Sequence, residues 1–88
     1  MSAPDPVGFL AAQFGPRLAA RLTTPRQQAD AARILQQLAQ VEGEATARAW
    51  MVGMNPHLDN MAPIHAITDG RMRDVEAAAR AYLNGDWT

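Results

Sequence analysis

The sequence predicts an all-α fold, a compact bundle of about five to six short helices, and three observations carry that expectation. Apolar residues recur at three- and four-residue intervals, most clearly at Ala31, Ile34, Leu35, Leu38 and Val41, while Gln27, Arg33, Gln37 and Gln40 fall on the other side. No segment alternates with period two over a useful length, which argues against strands. Prolines and glycines sit where helices begin and end, as at Asp5-Pro6, Thr24-Pro25 and Asn84-Gly85.

Residues 1–5 read as a disordered lead-in, and residues 6–88 as one helical domain with N-terminal helices over 6–41 and a second region over 42–88. Asp5 can cap a first helix opened by Pro6, where a missing N–H costs nothing, and Val7, Leu10, Ala11 and Phe14 make its apolar stripe. Gly15-Pro16 breaks that helix and starts a second over Arg17 to Leu22. Thr24 caps the third and longest helix, opened by Pro25. Gly43 predicts a kink or a short break, followed by a fourth helix presenting Ala45, Ala49, Trp50 and Met54, which Asn55-Pro56 ends. Asn60 is the expected cap of a short helix over Met61 to Ile67, with Pro63 in its first turn. The last helix, Arg71 to Leu83, sets Met72, Val75, Ala79 and Tyr82 on one stripe, with Glu76 and Arg80 spaced as a surface pair and Gly85 as its stop.

An 88-residue chain is one domain with a thin core, burying about 60–65% of its unfolded surface. There is no cysteine, so neither disulfides nor thiolate metal sites reinforce it. A leader peptide or a run long enough to span a bilayer is not seen, so the expected location is cytoplasmic, without a membrane role. The formal net charge of -1 lacks the basic excess that nucleic-acid binding leaves, although Arg17, Arg21 and Arg26 form a local set able to contact DNA. All positive charge is arginine and alanine is abundant, a bias pointing to a GC-rich genome such as that of an actinobacterium or one of its phages.

Chemistry-bearing constellations are sparse. His57 and His65 lie in different elements, without spacing that converges on an ion, so no metal site and no cofactor is expected. The single serine, Ser2, stands in the lead-in, the threonines sit at helix starts, and no glycine-rich phosphate loop is present, so catalysis is not expected. Met51, Met54, Met61 and Met72 read mainly as core filling, with an adaptable binding face as the other reading. Trp50 reads as a core anchor. Trp87 either packs back onto the domain or anchors a partner, since aromatic residues dominate interface hot spots.

The second half, from Trp50 and Gly53 through Asn55-Pro56, Leu58-Asp59, Pro63-Ile64, Val75, Ala78-Ala79 and Gly85, resembles the toxin-binding domain of the Xre/MbcA/ParS-like antitoxin family. The resemblance covers residues from about 45 to 87 and lies in order and spacing, not in any single residue. It implies a non-catalytic protein-binding module that inhibits a larger partner enzyme, a RES-type NAD-consuming toxin. It places the partner surface on Arg73, Arg80, Tyr82, Asn84, Gly85, Asp86, Trp87 and Thr88. Trp50, Gly53, Asn55, Pro56, Leu58, Asp59 and Pro63 would form the structural motif.

Family members often carry an N-terminal helix-turn-helix, and FLAAQFGPRLAARLT is similar to the first helices of one. Pro16 stands where a packed apolar residue belongs, and no stretch corresponds to a recognition helix, so the N-terminal half reads as a degenerate version. The alternatives are a small DNA-binding regulator and a phage-encoded protein using the antitoxin scaffold on another host protein. A homo-oligomer, such as a homodimer through alanine-rich faces, is a further reading of the thin core.

Overall fold

A long central helix organises the domain. The structure, a computed structural model, describes residues 6–85. In chain order the helices are α1 (Pro6–Phe14), α2 (Pro16–Ala19), α3 (Pro25–Glu42), α4 (Glu44–Val52), α5 (Pro63–Thr68) and α6 (Met72–Leu83), with a 3₁₀ turn at Pro56–Leu58. The all-α expectation holds: among the described residues there is no strand, only an isolated antiparallel bridge between Asn55 and Met61. No helix is long and apolar enough to cross a membrane, among the described residues.

α3 forms because eighteen residues run from a capped start with one continuous apolar stripe. Thr24 is extended, and its side-chain oxygen accepts from the Gln27 N–H at 3.1 Å, as its position before Pro25 predicts. Ala31, Ile34, Leu35 and Leu38 are buried along one face of α3, against which α1, α4, α5 and α6 all pack. Leu10 from α1, Leu22 from the turn after α2, Met51 from α4, Ile64 and Ile67 from α5, and Val75 and Ala79 from α6 complete the core. The resulting radius of gyration, 12.2 Å, matches the roughly 12 Å of a tightly packed chain of this length.

The structure corrects several expectations. Asp5 and the Val7 side chain lie outside the described residues. The second helix stops at Ala19, short of Leu22, and the chain continues as a turn in which Leu22 N–H bonds the Ala19 carbonyl at 3.1 Å. Val41 does not extend the α3 stripe: it is 64% exposed. Ala45 and Ala49 are also exposed, and Ala47 and Met51 point inward instead. Gly43 explains the change on α4. Its φ of 90° and ψ of 159° end α3 outright and restart α4 with a new rotational phase. Its N–H closes α3 on Ala39 at 2.9 Å while its carbonyl accepts from Ala47 at 3.0 Å.

A Cβ at Gly43 would meet nothing within 4 Å, so the cost of Gly43→Ala is backbone strain alone. It should destabilise the domain by about 1–3 kcal/mol, read as a fall in thermal midpoint of roughly 4–8 °C per kcal/mol. An unchanged midpoint would mean that the break is not required.

α5 begins at Pro63, with Ala62 in the cap position, so Asn60 is not its cap. Asp59 and Asn60 instead take consecutive left-handed conformations, with φ of 56° and 65°. Glu76 does not pair with Arg80; its carboxylate lies 3.2 Å from Arg33 of α3, clamping the two helices. The methionines divide: Met51 is core, Met61 and Met72 pack half-buried against it, and Met54 is 82% exposed.

Candidate partner-binding site

The segment between α4 and α5 is built around one buried amide. Asn55 is the single polar residue buried among the described ones, and its side-chain oxygen accepts from the His57 N–H at 2.9 Å. Its backbone carbonyl accepts from Leu58 and from Asn60, each at 2.9 Å. Pro56 then opens the 3₁₀ turn, which seats Leu58 fully buried against α6. The two left-handed residues that follow turn the chain back, and the Asx type is the one that tolerates this conformation most readily.

Arg71 holds the loop to the start of α6. Its guanidinium reaches Asp74 at 3.0 Å and Asp59 at 3.4 Å. The Asp74 hydrogen bond, opposed by desolvation and aided by the charges of Asp74 and Asp59, pushes Arg71 still further above its ordinary range. Arg71 therefore stays cationic at any pH the fold tolerates.

This rigid loop makes one wall of a cleft of about 210 Å³, lined by Trp50, Met54, Asn55, Pro56, His57, Ala78 and Tyr82. Trp50 is half-buried, not a fully enclosed core anchor, and meets Tyr82 at a ring separation of 6.2 Å and an interplanar angle of 47°. Met54 stands at the lip, the most exposed large apolar side chain described. The arrangement offers a shallow aromatic floor with a flexible, polarisable thioether beside it, suited to an apolar side chain from another surface.

The residues placed on the partner surface separate into two faces. Tyr82 turns inward, half-buried on Trp50, whereas Arg73, Arg80, Asn84 and Gly85 are exposed on the opposite side of α6 or at its end. Asp86, Trp87 and Thr88 lie outside the described residues. The motif residues divide: Gly53 closes α4 through its N–H to Ala49 at 3.0 Å, and Asn55, Leu58 and Pro63 are buried, whereas Trp50 is half-buried and Pro56 and Asp59 are exposed. A side chain at Gly53 would press to 3.1 Å on the Ala49 carbonyl oxygen, so glycine suits this close approach.

Arg17, Arg21 and Arg26 are all exposed near the α2–α3 turn. Arg21 bonds the His65 ring at 3.2 Å and Arg26 lies 3.9 Å from Asp30. Between α1 and α3 there is only the four-residue α2, too short to lie along a major groove as a recognition helix. His57 lines the Trp50–Tyr82 cleft while His65 contacts Arg21, and no group of three or more histidines or acids placed to hold a metal ion occurs among the described residues.

Sequence reasoning missed an open-sided groove of about 450 Å³ between α1, α3 and α4. Phe9, Leu35 and Ala39 form its floor, and Gln13, Gln36, Gln40 and Glu44 its rim. Gln36 and Gln40 are spaced four apart, a signal visible in the sequence, but the partnership with α1 is not. Compared with protein-family models, curated proteins and solved structures, the chain matches none.

Proposed function

We propose that this chain is a protein-binding module that acts by docking on a larger partner enzyme and inhibiting it, without catalysing a reaction itself. The observation that carries this reading is the cleft of Trp50 and Tyr82, with Met54 exposed at its lip on a loop made rigid by Asn55 and Arg71. Exposing a large apolar side chain beside a preformed aromatic floor is unfavourable in water and favourable once a partner covers it. The rigid loop supports the same reading, because little ordering entropy is lost when a preorganised surface binds.

The resemblance of residues 45 to 87 to antitoxins supplies the partner class. On that reading the partner is a RES-type, NAD-consuming toxin, the surface runs from the cleft to the end of α6, and Trp87 with its neighbours extends it. Removing residues 84–88 should weaken the complex by about thirtyfold or more, the effect of losing a hot spot, while the denaturation midpoint of the free domain moves little. Equal loss of affinity and stability would show that the tail supports the fold instead of the contact.

A further inference from the structure

We infer that the joined face of α3 and α6 is an acidic-partner site, built to receive a carboxylate-bearing segment of another protein. The inference rests on the reading of the chain as a protein-binding module and gives that partner its chemistry. A relay of charges crosses the two helices: Arg26 lies 3.9 Å from Asp30, Asp30 lies 3.4 Å from Arg33, and Arg33 lies 3.2 Å from Glu76. Each carboxylate in this relay is thus held by arginine.

Arg73 and Arg80 enter no ion pair among the described residues, although Glu76 stands three residues after one and four before the other, where a surface pair would form. Glu76 is drawn across to Arg33 instead. The nearest remaining acid on α6, Asp74, is committed to Arg71. The face therefore presents four guanidiniums against two carboxylates, and both unpaired guanidiniums are on α6.

Their spacing gives the site a shape. Seven residues put Arg73 and Arg80 about 10 Å apart along the axis on one side of the helix. Exposed Ala77 between them leaves room for a backbone to approach. Guanidinium forks match carboxylate geometry, and fixed positive charge steers an acidic partner into register. A duplex would present one charge about every 1.7 Å to a face with so small a positive excess, which favours discrete carboxylates over a phosphate backbone.

The test titrates the isotopically labelled full chain with an oligoglutamate peptide at low ionic strength, beside a short DNA duplex, and follows amide shifts. The largest peptide-induced shifts should fall on Arg33, Arg73, Ala77 and Arg80, and they should collapse at high salt. Affinity should drop about tenfold in a combined Arg73→Ala, Arg80→Ala variant, and a combined Arg73→Lys, Arg80→Lys variant should lose less, because lysine keeps the charge without the guanidinium fork. Both side chains are exposed, so the fold is expected to survive, which the spectrum of the free variant reports directly. Shifts centred on Met54 and His57 would overturn the charged site while leaving the binding module standing. Tighter binding of the duplex than of the peptide at the α3–α6 face would overturn the choice of partner, and no shift with either would overturn the site.

Discussion

Replacing Leu58 by alanine is expected to cost the domain about 2–5 kcal/mol, the range for emptying a fully buried leucine site. The loss is large relative to the roughly 4–13 kcal/mol of a domain this size. Leu58 sits in a three-residue turn, and it is the side chain that pins the α4–α5 segment to α6. Little can collapse into the vacated space, since the loop backbone is already fixed by the Asn55 hydrogen bonds. Urea denaturation should show the loss as a lower midpoint. A change below about 1 kcal/mol would mean that the turn is not anchored through this residue.

Met54→Asp should leave stability nearly unchanged and reduce partner affinity by about thirtyfold or more. The residue is 82% exposed, so the fold has little to lose there. In the complex, a carboxylate at the lip of the Trp50–Tyr82 cleft would be desolvated without a partner designed for it. Calorimetric titration checks the affinity and a thermal melt checks the fold. If the variant bound as tightly as wild type, the cleft would not be the contact.

Much of the fold is legible locally. Thr24-Pro25 announces the start of α3 through capping chemistry, and Gly85, with φ of 80°, ends α6 as a glycine after asparagine suggests. The misread positions are those where a local rule meets a change of phase or a distant partner. The apolar period of α3 runs on through Val41, but the core face has turned away before Gly43, and Ala45 and Ala49 inherit the wrong phase on α4.

Asn60 has the chemistry of a cap and of a left-handed turn alike, and the bond from its N–H to the Asn55 carbonyl decides for the turn. Glu76 is correctly spaced for Arg80, yet Arg33, 43 residues away, takes it, because α3 and α6 pack side by side. The cleft was illegible for the same reason. Its floor joins Trp50 of α4 to Tyr82 of α6, a contact that exists only after both helices dock.

The central claim is that the chain works by holding another protein through the surface from this cleft to the chain's last residues. The most direct measurement is an affinity pull-down from the native host, with mass spectrometry, using wild type beside a tail-truncated chain also carrying Trp87→Ala. The account predicts that wild type retains a RES-type enzyme and that the variant, still folded, does not. Equal retention of that enzyme by both chains would contradict the placement of the interface, and an empty wild-type pull-down would contradict the binding role itself.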